Sequence, residues 1–395
     1  MRKTLFIFIA MVFLLLVSCE EKSHNADRVH KISAKIIEPS LHIIDHKSFN
    51  GYLSGVNFER NEFYIDSLFP VKNNAMVRII DARTGKEKRT VPFPLGDSQS
   101  PTLFTEPSYI EFLEDKYFVY DHIHKIVVYD KDFNYLYTGM SPQSLRVFID
   151  FYSYDSKIFY VLGRSKNQID NYRYNVELYA FPRNEKPFWV GDLFETFHES
   201  PYPRSGSKYY YIIFFRSSNW GFEKNGCIYY ADNRENRYYR YDLATGQTDA
   251  FELSFLMPRI FTQEEADRAA NYKNQENVVK GLTVVIVPSK EAMYHQGLFD
   301  VGKDKIGVIG DVDMRKCIFR LDILDSRTGQ YRFSLRLPFG EGFLRRTSSR
   351  NLGYIQSYID LDEGIYIWPD IDGETQDGNV QLTRFIGECV PSSGY

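Results

Sequence analysis

The chain repeats one layout along most of its length. "CIYYADNRENRYYRYDLATGQTDAFEL", Cys227 to Leu253, reads as strand, polar turn, strand ending in Tyr-Asp, glycine-containing turn, strand. The same order occurs in "EFYIDSLFPVKNNAMVRIIDARTGKEKRTVPF" (Glu62 to Phe93), "KYFVYDHIHKIVVYDKDFNYLYTG" (Lys116 to Gly139) and "KIGVIGDVDMRKCIFRLDILDSRTGQYRFSLRL" (Lys305 to Leu337). Two copies are degenerate. Lys157 to Val190 replaces the Asp-x-x-Thr-Gly turn with Pro-Arg-Asn-Glu, and Gly364 to Glu388 keeps two strands and then runs out of chain. The landmark of each unit falls at Asp81, Asp130, Tyr179, Asp242, Asp325 and Arg384, at intervals of 49, 49, 63, 83 and 59 residues. The 83-residue interval holds an insertion.

One such unit cannot bury both of its faces alone, whereas units stacked around an axis bury them and leave only short outer edges. Further strand candidates lie upstream of the units: "YIEFLE" at Tyr109, "LRVFIDFYSY" at Leu145, "KYYYIIFFRS" at Lys208 and "YIQSYIDL" at Tyr354. Four antiparallel strands repeated six times predict an all-β fold, a six-bladed β-propeller of four-stranded antiparallel blades. A pair of β-sandwiches is the alternative. Aromatic residues are 16% of the chain, as pleated, half-buried surfaces favour. The sixth unit lacks a fourth strand, and "HKISAKIIEPSLHII", residues 30–44, is expected to supply it and close the ring. Thr262 to Leu282 breaks the β pattern. Thr262 and Glu265 stand at capping-box spacing and Gly281 ends the segment, which predicts a helical insertion between blades 4 and 5.

The stretch "DARTGK" at Asp81 ends like a phosphate-binding loop. That loop needs glycine where Ile80 stands and Ser or Thr where Glu87 stands. Its echoes at Asp242 and Asp325 make it a turn instead. Gly85 allows a positive φ and Asp81 hydrogen-bonds the turn backbone.

Residues 1–18 are a targeting segment. Arg2 and Lys3 precede an apolar run from Leu5 to Val17, short of the roughly 20 residues that span a bilayer. The run ends in Leu16-Val17-Ser18-Cys19, which resembles the lipobox of bacterial lipoproteins at every position. That resemblance implies lipidation of Cys19, a lipidated tether over residues 19–29 and a propeller over residues 30–395. The other reading is an ordinary signal peptide. Glu20 and Glu21 resemble the export signal of surface lipoproteins in the Bacteroidetes, with periplasm-facing attachment to the outer membrane as the alternative. Setting aside Arg2 and Lys3 leaves 46 basic against 52 acidic residues, a balance of −6. Such a chain has no expected nucleic-acid partner. Cys227, Cys317 and Cys389 remain beyond the leader, so at least one is unpaired.

With its lipobox and blades of the type "EPSYIEFLEDKYFVYDHIHKIVVYDKDFNYLY", the chain resembles the six-bladed propeller lipoproteins of Bacteroidetes. These include families of unknown function, related in architecture to NHL and TolB-type propellers. The resemblance covers the mature chain, rests on layout, and assigns no catalytic residue.

Three groups of residues could carry chemistry. Asp121, His122 and His124 form "DHIH", where His at i and i+2 of an extended strand point the same way and could share a cation. The plainer reading is a polar turn. Asp370, Asp372 and Asp377, with Glu374, surround Gly373 in an oxygen-rich loop that would suit calcium. Its spacing departs from the EF-hand, and an acidic hairpin is the plainer reading. Trp189, Trp220 and Trp368 could stack on a sugar or peptide, or fill the interblade core. No Gly-x-Ser-x-Gly elbow occurs, and no catalytic residue is assigned. The expected function is a membrane-anchored, extracytoplasmic module that binds protein, peptide or glycan without catalysis. A polysaccharide-active enzyme with carboxylates in the central funnel is the alternative.

Overall fold

The computed structural model describes residues 26–387, except 40, 58–59, 72–73, 97–99, 105–106, 114, 122–124, 141–144, 155–157, 169–172, 183–187, 198–201, 206–207, 214–221, 232–233, 261, 266, 268–282, 289–291, 293, 296, 314–315, 317, 339–357 and 372–377. The N-terminal segment gives β1 (Arg28–Ile32) and β2 (Leu41–Asn50). Unit one is β3 (Tyr52–Asn57), β4 (Glu62–Val71), β5 (Asn74–Asp81) and β6 (Glu87–Pro94). Unit two is β7 (Pro107–Leu113), β8 (Lys116–Asp121), β9 (Lys125–Asp130) and β10 (Tyr135–Met140). Unit three is β11 (Leu145–Tyr154), β12 (Ile158–Gln168), β13 (Arg173–Pro182) and β14 (Phe188–Phe197). After β15 (Tyr202–Ser205) and β16 (Lys208–Ile213), unit four is β17 (Phe222–Lys224), β18 (Cys227–Tyr230), β19 (Arg237–Asp242) and β20 (Thr248–Leu253). Then come β21 (Thr283–Pro288) and unit five, β22 (Leu298–Asp300), β23 (Lys305–Asp313), β24 (Ile318–Asp325) and β25 (Tyr331–Pro338). Unit six is β26 (Tyr358–Asp360), β27 (Ile365–Ile371) and β28 (Gly378–Gly387).

The fold is an all-β propeller of mostly antiparallel four-stranded blades. Among the described residues five sheets are four-stranded, where the repeat predicts six. The difference lies at unit four, whose sheet has five strands because β1 adds in parallel outside β20. First strands follow one another around the axis. β3 lies beside β7, β7 beside β11, β11 beside β17, β17 beside β22 and β22 beside β26, while β27 and β28 return to β3.

Packing between sheets follows the two-residue period of a strand. On β8, Tyr117 and Val119 join a core shared with Tyr64, Val77 and Phe93 of unit one. The alternate residues Phe118 and Tyr120 meet Tyr179 of unit three. One strand thereby serves two interfaces, which is why "KYFVYD" is apolar almost throughout. Similar cores join unit six to unit one through Ile367, Leu382, Phe63 and Leu53, and unit four to unit five through Phe251, Leu253, Ile306 and Val308. Inner strands approach closely. A Cβ on Gly55 of β3 would lie 2.0 Å from the Ile110 carbonyl oxygen of β7.

Three further expectations change. "KYYYIIFFRS" is not the first strand of unit four. β16 instead pairs in parallel with β21, in a separate three-stranded sheet with β15. The first strand of unit four is the short β17, because Asn225 and Gly226 take positive φ (54° and 75°) and close a two-residue hairpin pairing Lys224 with Cys227. Segment 30–44 is two strands rather than one. β1 lies on β20, and β2 pairs antiparallel with β28. Between them Ile37 accepts the Ser334 N–H at 2.8 Å and Glu38 takes two hydrogen bonds of 3.0 Å from Arg336. The N-terminal segment thus straps the outer edges of units four, five and six. The helix expected over Thr262 to Leu282 is a single turn among the described residues, at Gln263–Glu265 and Asp267. Its capping box is formed: Thr262 N–H donates to Glu265 at 2.9 Å and Glu265 N–H to Thr262 Oγ1 at 3.3 Å. Among the described residues no helix is long and apolar enough to cross a membrane.

Candidate functional site

Links between the first and second and between the third and fourth strands of a unit fall on one face of the ring, the turn face, and links between the second and third strands and from one unit to the next on the other, the connection face. The aspartate turns stand on the turn face. Asp81 Oδ1 accepts Thr84 N–H at 2.7 Å, Asp242 Oδ1 accepts Thr245 N–H at 2.8 Å, and Asp325 Oδ1 accepts Thr328 N–H at 2.9 Å. Gly85, Gly246 and Gly329 follow with φ of 62°, 71° and 72°. Burial alone would raise the Asp325 carboxyl, but hydrogen bonds from Thr328, Arg332 and Arg327 bring it down to about 2.

These turns are docking points for the preceding unit. Arg89 of unit one donates to the Asp132 carbonyl of unit two at 3.2 Å, with its guanidinium 5.1 Å from the Phe133 ring centre. Arg240 of unit four donates to the Arg327 carbonyl of unit five at 2.8 Å. Unit six reaches unit one twice. Lys47 of the N-terminal strap donates to Thr84 O at 2.5 Å and Arg384 to Arg83 O at 3.0 Å. Deeper between units one and two, Glu62 accepts Arg60 at 3.2 Å, Tyr117 at 3.3 Å and Lys88 at 3.4 Å. Burial and then the Glu62 charge push the Tyr117 phenol up to about 12.

The ends of β17, β22 and β26, the first strands of units four, five and six, carry a set of paired charges. Lys224, 7% exposed, donates to Asp300 at 2.5 Å and to the Gly302 carbonyl. Asp300 also accepts Gly302 N–H at 3.3 Å. Glu223 accepts Gly226 N–H at 2.6 Å, and burial pushes its carboxyl up. Asp360 accepts the amides of Asp362 and Glu363 at 2.9 and 3.1 Å, while Asp362 accepts Lys305 at 2.5 Å. The set is a chain of clasps: each carboxylate fixes its own turn or ties it to the next unit. Sequence reasoning passed over these residues. The signal available was a charged residue closing the first strand directly before a glycine-containing turn, as in "KNG", "DVG" and "DLDEG".

On the connection face, Asp121 lies at the end of β8, fully buried, 3.6 Å from the buried ammonium of Lys125. Lys125 also donates to the carbonyls of Ser100, at 3.2 Å, and Leu103. Asp121 thereby anchors the link between units one and two, while His122 and His124 lie outside the described residues. Asp370 is on β27; Asp372 and Asp377 lie outside the described residues. Among the described residues no three His, Cys, Asp or Glu side chains are grouped to hold a metal. The three tryptophans are not brought together. Trp189 is 55% exposed on β14, Trp220 lies outside the described residues, and Trp368 is buried.

Trp368 lies in the wedge between units five and six, 5.9 Å from Tyr366 and 6.4 Å from His46, ring centre to centre. Tyr366 donates to the Pro338 carbonyl of unit five at 2.9 Å. Gln381 is the register partner of Trp368. Trp368 Nε1 and Gln381 Oε1 are buried without a hydrogen-bond partner from the protein. A donor and an acceptor on paired residues suit one bridging hydroxyl group. Cys19 lies outside the described residues.

The fold and its clasps define a β-propeller held together blade to blade. No protein-family model matches the chain, and no curated protein sequence does. Among solved structures, a member of the DUF4221 family from Bacteroides vulgatus matches 90% of this chain and 99% of its own, with 9% identity and a TM-score of 0.51. At that identity the likeness shows the fold alone. BamB from Moraxella catarrhalis covers 85% of this chain and 86% of its own at 13% identity and a TM-score of 0.35. A luciferin-regenerating enzyme covers 89% and 97% at 11% identity and a TM-score of 0.39. Neither of these two carries an argument.

Proposed function

We propose that this propeller is a non-catalytic binding or scaffold module for a protein, peptide or glycan, held at the bacterial outer membrane through lipidated Cys19. The observation that carries the reading is the use of the acids at the ends of these first strands. Asp300 is tied to Lys224, and Glu223, Asp360 and Asp362 accept turn amides or Lys305. Groups so committed hold blades together, whereas catalysis on a glycoside needs an acid and a base or nucleophile facing a substrate. Support for the anchor is the lipobox at Leu16 to Cys19 with its acidic follow-on, as in the Bacteroidetes propeller lipoproteins that the layout resembles.

The polysaccharide-active alternative draws on one observation. Burial raises the carboxyl of Glu223, with Asp300 nearby raising it further, as suits a general acid. One experiment separates the two. The purified full chain is incubated with a panel of bacterial and plant polysaccharides, and released reducing ends are measured beside direct binding. Binding without turnover is expected. Turnover that disappears in Glu223→Gln would overturn the non-catalytic reading. For the anchor, Cys19→Ala is expected to move the protein from the membrane to the soluble fraction, and unchanged retention would sink it.

A further inference from the structure

We propose that the outer edge of units four and five is a docking site for an extended peptide segment of a protein partner. The chain's own strap, residues 26–39, occupies the site in cis until such a segment displaces it. This site rests on the binding-module reading above and narrows its ligand to a peptide. Among the described residues, unit four is the sheet that takes a fifth strand. β1 lies parallel to β20, with Arg28 opposite Asp249 and Ile32 opposite Leu253. A strand added to a sheet edge is a recurring mode of peptide recognition, in which backbone hydrogen bonds give affinity and alternate side chains give specificity.

The strap is gripped as such a ligand would be. At its start, Asp27 N–H donates to the Thr248 carbonyl and the Asp27 carboxylate accepts the Thr248 N–H, both at 2.7 Å. The alternate residues His30 and Ile32 then face the propeller. The His30 ring stacks on Phe251, 4.8 Å between ring centres, with its Nε2 3.7 Å from Asp249. Ile32 packs against the core that joins units four and five, and its carbonyl accepts both the N–H and the hydroxyl of Ser254, at 2.9 and 3.0 Å. Unit five continues the grip. Ile37 N–H donates to the Tyr331 hydroxyl at 2.9 Å, the Ile37 carbonyl accepts Ser334 N–H at 2.8 Å, and Glu38 takes its two bonds from Arg336. The edge therefore reads an acid, a ring, an aliphatic side chain and a second acid, at positions 27, 30, 32 and 38 of the strap. A partner segment of that chemistry, running parallel to β20, fits it.

The resident strap can leave without opening the ring. β1 ends its sheet, and three of its five residues are exposed. Its release leaves unit four with four strands, like its neighbours. β2 differs, because it is the outer strand of unit six and its Phe49 packs on the core between units six and one. A short tether from β2 holds the strap at an effective concentration on the order of millimolar, which sets the threshold that a partner segment has to exceed.

The test adds a fluorescein-labelled peptide of residues 26–39 to the full chain and reads anisotropy. Two variants loosen the strap in cis: Ile32→Asp, which sets a charge against the core, and Asp27→Ala, which removes the grip on Thr248. The peptide is expected to bind either variant about tenfold more tightly than the parent, and to lose binding when it carries Ile32→Asp itself. Equal affinity for parent and folded variants, or binding to none of them, would overturn the proposal. Hydrogen exchange of the parent gives a second measurement that needs no variant. Amides of β1 are expected to exchange about tenfold faster than those of β2, and equal protection would show a strap that does not leave. The polysaccharide panel reads the module separately: turnover there removes the non-catalytic reading, whereas a peptide that fails to bind leaves glycan binding standing.

Discussion

Lys125→Met separates a buried charge pair from its packing. Lys125 and Asp121 are register partners on β9 and β8, 2% and 0% exposed, with 3.6 Å between the charged atoms. The ammonium also holds the Ser100 and Leu103 carbonyls and lies 5.6 Å from the Phe104 ring centre. Methionine keeps the length and apolar body of the side chain, so the packing on Phe104 survives. What is lost is the ammonium, leaving a carboxylate in an interior that disfavours charge. Removing one partner of such a pair costs about 3–5 kcal/mol. In Asp121→Leu with Lys125→Met no charge remains, and what is left is about 1–3 kcal/mol for each carbonyl deprived of its donor, a cost the single variant bears as well. Urea unfolding of parent, both single variants and the double variant reads these values as midpoints at constant slope. A Lys125→Met midpoint close to the parent, or a double variant no better than the single, would refute the argument.

Two further outcomes are expected. Gly55→Ala places a Cβ 2.0 Å from Ile110 O, so β3 and β7 must separate, at about 1–3 kcal/mol; thermal unfolding with an unchanged midpoint would contradict that contact. Asp325 has a folded value of about 2 against its ordinary 3.8, so the stability it contributes is present above the ordinary value and lost as pH falls toward about 2. Asp325→Asn should therefore cost more near neutrality than at about pH 2, and a penalty constant across that range would refute the linkage.

What was legible in the sequence was local. Asp-x-x-Thr-Gly announces its turn because one carboxylate, two amides and a glycine at positive φ all lie within five residues. The unbroken apolar run in "KYFVYD" is what a strand buried on both faces requires. Asn225-Gly226 was equally legible as a hairpin signal and was passed over in favour of the aromatic run at Lys208, whose strength as a strand said nothing of its partner. That partner, β21, is parallel and far along the chain. The division of residues 30–44 was hidden for the same reason: β1 and β2 are defined by β20 and β28, more than two hundred residues away. Trp368 was picked out for its aromatic type, yet Gln381 and the unit-five wedge that give it meaning are contributed from elsewhere. The clasps are likewise pairs between units, invisible until the ring is assembled.

The strap also sets the order of events during synthesis. β2 is among the first parts of the propeller to be made, yet its pairing partner is β28, at residues 378–387. Joining Asn50 to Asn379 closes a loop of some 330 residues, an entropic cost of about 5 kcal/mol at (3/2)RT ln n. Until then β2, which carries exposed Ile43 and Ile44, is an unpaired strand, and an open edge is an aggregation hazard. A chain without residues 378–387 therefore keeps that edge unpaired, and closing the ring requires residues made long after β2.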